Sequence, residues 1–182
     1  LRDKLLHERS LLYTWNVALG SNFVSLAAYY LMSPFNLLLL LFGKEQIAAV
    51  TCFLMCLKIA LTAVAMVHFL SYKDGEKKRN SLIVAISVAY AFSNYVIGYN
   101  WNTMWLDCIM IFPLIMLGFQ RMLEERDPKL YVLSLFYALY CNYYIGYIIC
   151  LFLVLWFFVY EHKTVKRFFI NGFRFAVYSL LS

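Results

Sequence analysis

Five apolar runs of roughly membrane-spanning length, separated by short charged stretches, constrain this chain more than any other feature. A spanning helix needs about 20 mostly apolar residues. Residues 46–70 supply one such run, interrupted only by Lys58 and His68, and 82–99 supply a second, bounded by the charged loop 73–79. Residues 104–119 form a short third run that carries Asp107; 130–160 form a long fourth, and 168–182 begin a fifth. At 64% hydrophobic and 14% charged residues, the chain lies far from the roughly 45–50% and 25% of soluble domains, which excludes an ordinary water-soluble globule. The expected fold class is all-α, a polytopic transmembrane helical protein.

As one helix, residues 130–160 would be about 46 Å long, well beyond the roughly 30 Å of bilayer hydrocarbon. A hairpin of two short helices, 130–141 and 145–160, turning at Asn142, fits better. It also satisfies the distribution of charge. With the hairpin, loops 71–81, 120–129 and 161–167 share one side and hold ten of the 16 Lys and Arg residues, while the turns at 99–103 and 141–144 hold none. Positive residues favour the cytoplasmic side. Residues 1–45 are therefore expected to face the extracytoplasmic side of a cell membrane. The net charge of +6 is thus topological and argues against a nucleic-acid partner. The five cysteines lie inside apolar runs without metal or redox spacing and read as small buried hydrophobes.

The segment 1–45 is neither a loop nor a clean span. Aromatic stretches at 11–15 and 23–30 precede Ser33-Pro34 and a further apolar run, 35–42. Proline disfavours helix at the residue before it, so interfacial or re-entrant helices are expected, with Trp15, Tyr29 and Tyr30 at headgroup depth. Irregular backbone at that depth survives only when packed on protein or lining a cavity. The chain starts at Leu1 without Met and stops at Ser182 within an apolar run; it is read as part of a longer membrane protein.

Asp107 is the only acid within the apolar runs. A carboxylate in a spanning helix costs about 2.5–3.5 kcal/mol on insertion scales, so it must face a partner or a cavity. An ion pair or cap is one reading; an acid serving substrate or metal at an outer cavity is the other. Asn100, Trp101, Asn102 and Trp105 precede or flank it, and Asn142, Tyr143 and Tyr144 form a second outer turn of the same chemistry. Amides beside flat aromatic faces suit sugar recognition, although Trp and Tyr also populate membrane interfaces without a ligand. Asn16, Asn22, Asn36 and Trp15 extend this polar-aromatic layer. Lys58 lies near mid-membrane, where it either snorkels or pairs with an acid, or else contacts a phosphate. By helical rise Asp107 sits about 10 Å nearer the outer face, so a direct pair requires tilt. No phosphate loop, zinc spacing or nucleophile elbow occurs.

Four stretches together resemble the bacterial YfhO membrane-protein family over residues 5–160. They are Tyr13-Thr14-Trp15-Asn16 with Leu19-Gly20-Ser21-Asn22-Phe23; Tyr29-Tyr30-Leu31-Met32-Ser33-Pro34-Phe35-Asn36; Trp101-Asn102-Thr103-Met104-Trp105-Leu106-Asp107 with Pro113-Leu114; and Asn142-Tyr143-Tyr144-Ile145-Gly146-Tyr147. That family is similar to GT-C glycosyltransferases. The resemblance implies a GT-C-like fold and an integral membrane enzyme whose active site faces outside the bacterial cytoplasmic membrane. Its donor would be a lipid-linked sugar on a polyprenyl phosphate, and its acceptor an envelope polymer such as lipoteichoic or wall teichoic acid. Asp107 would be the second acid of the fold. The main catalytic base is expected upstream of residue 1, since Asp3 does not match the motif, and the chain alone is expected to be inactive. The leaving phosphate needs positive charge, from Lys58, from an Arg elsewhere, or from a divalent cation (Mg²⁺ or Mn²⁺) held by acids such as Asp107. Two other classes compete: a transporter or flippase of envelope precursors, and a non-catalytic assembly subunit in which Asp107 locks helices.

Overall fold

The computed structural model describes residues 12–14, 20–73, 81–160 and 164–182. Trp15, Asn16, Asp3 and the loop cations Lys77, Lys78, Arg79 and Lys163 lie outside the described residues. A two-residue antiparallel ladder pairs β1 (Tyr13–Thr14) with β2 (Ser21–Asn22). Asn22 then caps α1 (Phe23–Tyr30), its side chain accepting from Val24 N at 2.9 Å. A 3₁₀ segment, Pro34–Leu41, follows after a bend of 105°. Pro at the first position of that segment explains the break, because the preceding residues cannot continue a helix into it. The remaining elements are α2 (Ile47–Lys73), α3 (Ser81–Ala91), α4 (Asn94–Tyr99), α5 (Thr103–Glu124), α6 (Lys129–Cys141), α7 (Tyr143–Val159) and α8 (Val165–Leu180).

Among the described residues, three helical stretches are long and apolar enough to cross a membrane, Ile47–Tyr72, Ser81–Tyr99 and Thr103–Glu124, or four if the bent pair counts as one span. The 82–99 run is broken rather than continuous. Phe92 and Ser93 close α3, and Ser93 in extended conformation starts α4. Ser and Asn offer the backbone competing hydrogen bonds, which favours a break at Ser93-Asn94. Asn142 divides the 130–160 run in the same way: its backbone is extended and its side chain accepts from Ile145 N at 3.0 Å, capping α7. The last helix begins at Val165, three residues before its apolar run, and is amphipathic rather than apolar throughout. The cysteines differ from expectation at two positions. Cys108 and Cys141 are buried, but Cys52 and Cys56 are exposed on α2. They occupy the face away from Leu54, Lys58, Thr62 and Ala65, the buried stripe of that helix.

α5 is the central strut, packed most extensively against α6 and α2. Apolar burial does not drive helices together inside lipid; close packing of small residues does. Gly118 brings α5 against the backbone of Tyr131, and Gly146 brings α7 against Leu139. Around these contacts Ile115, Phe119, Met122, Tyr131, Leu135 and Leu153 form a fully buried core. Pro113 lies inside α5 and cannot donate to the carbonyl of Ile109. Tyr90 of α3 satisfies that carbonyl with its hydroxyl at 3.1 Å.

The bundle has two chemically distinct ends. At one, Asn142 Nδ2 donates to Tyr29 O at 3.0 Å, and Ser33 of the elbow reaches Asp107. At the other, Tyr72 hydrogen-bonds Glu125, Arg121 lies 4.7 Å from the Tyr72 ring, and Tyr160 donates to Glu124 at 2.7 Å. The residues flanking all three basic loops therefore converge at one end. Single cysteines at Trp101, which is exposed, and Lys77, in a full-length background lacking native cysteines, should label from opposite sides of the membrane, Trp101 from outside. Labelling from the same side would refute the arrangement.

Candidate functional site

Asp107 sits one turn into α5 and is completely buried. Lys58 of α2 donates to its Oδ2 at 2.6 Å, and Ser33 Oγ and Tyr137 OH each donate to its Oδ1 at 3.0 Å. The carboxylate thus ties three elements to α5: the elbow, α2 and α6. Each hydrogen bond to a buried charge compensates part of the desolvation that makes such a group expensive.

The direct pair forms, with Lys58 Nζ on Asp107 Oδ2. Lys58 Nζ also donates to Thr103 O, the first residue of α5, at 3.1 Å. Lys58 is therefore level with the beginning of α5, and α2 extends about three turns past it. The helices are staggered, and the long lysine stem covers the remaining offset. Lys58 has three donors; two are engaged here, and its ammonium lies 5.6 Å from the Phe35 ring.

Beside Lys58 a cleft of about 160 Å³ opens between the elbow, α2 and the start of α5. Tyr30, Asn36, Thr51, Lys58 and Thr103 line it together with Leu39 and Met55. Asn36 is held by donation to Leu31 O at 3.3 Å.

The aromatic residues fall into two groups rather than one pocket. Trp105 stacks on Tyr95 at 6.5 Å, and Tyr99 joins Tyr95 to Trp101 at 5.3 and 6.4 Å. Tyr143 instead meets Tyr29, which meets Tyr30, at 6.0 and 4.7 Å. Trp101, Tyr143 and Tyr144 are strongly exposed. Several polar groups have local duties. Asn100 donates to Ile97 O at 2.8 Å, Trp101 Nε1 donates to Gly98 O at 3.2 Å, and Asn142 and Asn22 cap helices. Asn102 is buried at the start of α5, and Trp105 Nε1 is a buried donor with no partner.

The surroundings of Asp107 do not fit a divalent cation. Its neighbours are an ammonium and two hydroxyls, and among the described residues no three His, Cys, Asp or Glu side chains converge on a metal-sized site. A dication at this carboxylate would sit against Lys58. Sequence reasoning missed Ser33 and Tyr137 as partners. Ser33 registered only as a helix break, and Tyr137 is one of 15 tyrosines in an aromatic-rich chain, with no distinguishing spacing.

Comparison with protein families matches residues 1–182 to one described as bacterial membrane protein YfhO. No curated protein and no solved structure matches the chain.

Proposed function

The chain belongs to the YfhO family of bacterial membrane proteins, and from that premise we propose that it forms the outer-facing core of a GT-C-type glycosyltransferase. The enzyme takes a sugar from a polyprenyl-phosphate carrier and transfers it to an envelope polymer of the teichoic-acid class, outside the cytoplasmic membrane. The observation that carries this reading is a buried charged pair at the wall of a polar cleft, beneath an elbow of re-entrant shape and beside an aromatic rim.

In this reaction an acceptor hydroxyl attacks the anomeric carbon. The bond from that carbon to the carrier phosphate breaks, the phosphate leaves with the electron pair, and the hydroxyl proton passes to a base. Negative charge grows on the leaving phosphate, so a preoriented cation at the cleft wall lowers the barrier. Lys58 supplies that cation. Asp107 is fully engaged by its three donors and acts as a positioning residue: it holds the ammonium level with the cleft and anchors Ser33 at the elbow. Tyr30 and Asn36 offer the cleft a ring face and an amide for sugar hydroxyls.

The test is transfer by the full-length protein in proteoliposomes, given undecaprenyl-phosphate-linked sugars and a teichoic-acid acceptor. Label should appear in the polymer as free undecaprenyl phosphate is released. Movement of intact lipid-linked sugar across the bilayer without cleavage would replace this reading with a flippase. Neither activity across a panel of hexose and aminosugar donors would leave the assembly role.

A further inference from the structure

α8 carries three separate surfaces. Phe168 and Phe175 turn inwards and pack on Phe157 at 5.3 and 5.4 Å. At 100° per residue, Val165, Phe169, Phe173, Ala176 and Leu180 fall within an arc of about 80°. They form an outward apolar stripe; Phe169, Phe173 and Leu180 are 69%, 73% and 87% exposed. Lys166 borders the stripe, Arg167 and Arg174 follow about 100–120° beyond its edge, past Val177 and Ile170, and 164–182 contain no Asp or Glu. The N-terminal end of α8 lies near Phe157 and Phe158, at the basic end of the bundle. Its far half borders an open apolar groove of about 350 Å³ lined by Tyr131, Cys150, Leu153, Val154, Phe175 and Leu180.

We propose that this face of α8 binds an anionic phospholipid, with the headgroup on the cations and one acyl chain along the stripe into the groove. Charge complementarity selects the occupant. An apolar stripe alone fits any hydrocarbon or another helix, but cations beside it, with no acid on the same helix, match a phosphate headgroup attached to a hydrocarbon chain. The inference is independent of the reaction proposed above.

The experiment uses the full-length protein with a single cysteine at Ala176, in the middle of the stripe, carrying an environment-sensitive fluorophore. Reconstitution is in phosphatidylcholine with a minority of brominated phosphatidylglycerol or, separately, brominated phosphatidylcholine. Brominated phosphatidylglycerol should quench at severalfold lower mole fraction. The K166Q/R167Q/R174Q variant should lose that preference, since each cation near the surface contributes roughly fivefold, whereas K77Q/K78Q/R79Q should retain it. Equal quenching by both lipids in the unaltered protein would overturn the proposal. So would the absence of quenching by either, with cross-linking of the Ala176→Cys site to another polypeptide.

Discussion

Neutralising either member of the Lys58–Asp107 pair alone is expected to deplete folded protein from the membrane, whereas replacing both with apolar residues restores it. Both groups are buried, at 3% and 0% exposure. Among the described residues, Asp107→Leu leaves an ammonium with Thr103 O as its one hydrogen-bond acceptor beside the Phe35 ring, and Lys58→Met leaves a carboxylate with two hydroxyl donors. Breaking a buried pair in this way typically costs about 3–5 kcal/mol, while an apolar replacement of both partners is often neutral. Lys58→Met/Asp107→Leu should therefore be more stable than either single variant, a non-additivity above about 2 kcal/mol in a double-mutant cycle. Unfolding of purified protein in detergent, with membrane abundance as a second readout, measures it. Additive losses would mean that the two charges do not depend on each other. Sugar transfer separates structure from chemistry: the double variant should remain folded yet lose roughly 10²–10³ in turnover, the usual consequence of removing a preoriented electrostatic group. A folded double variant with normal turnover would reduce the pair to a helix lock.

Asp107→Asn sharpens the same point. It preserves shape but replaces one acceptor oxygen with an amide donor that faces either Lys58 or the two hydroxyls. Turnover per folded molecule, rather than total activity, is the quantity that separates a lost positioning role from lost protein.

The reach of sequence reading follows from which interactions are local. Apolar runs and basic loops are properties of contiguous residues, so the helices and the clustering of 71–81, 120–129 and 161–167 were legible. Asn142 was legible too, because an amide that caps the next helix signals itself in one residue. The stagger of α2 against α5 was not. A count from each helix start assumes a common plane, whereas Lys58 lies beside the first residue of α5. Ser93-Asn94 carried a visible break signal, masked by the strong hydropathy around it. The fifth run is read from its phenylalanines alone; Lys166, Arg167 and Arg174 recur on one arc and make the helix that contains it amphipathic. Tyr90 and Tyr137 were not identifiable, since each serves a carbonyl or carboxylate on another helix.

Gly118→Ala is expected to destabilise the protein more than any other single added methyl group at its described glycines that keep a negative φ. A Cβ at Gly118 would lie 2.4 Å from Tyr131 N and 2.6 Å from its Cα, so the obstacle is backbone rather than a movable side chain. Tyr131 cannot yield easily. It is fully buried, its ring packs against Phe119 and Phe175, and its hydroxyl bonds Ser179 at 2.7 Å. Relief therefore requires α6 to move away from α5. Overpacking typically costs about 1–3 kcal/mol, and a clash with backbone belongs at the upper end or beyond. The displacement carries a second consequence. Tyr137 lies on the same helix, less than two turns beyond Tyr131, and holds Asp107 by its hydroxyl. Shifting α6 loosens the carboxylate that positions Lys58, so activity per folded molecule should fall along with stability. Gly98→Ala is the control: nothing lies within 4 Å of its added methyl, and replacing helical Gly by Ala stabilises by up to about 1 kcal/mol. Unfolding of both variants in detergent gives the comparison. Equal stability for Gly118→Ala and Gly98→Ala would show that α5 and α6 do not approach at Gly118, and with that the link from this contact to the Asp107 site would fail.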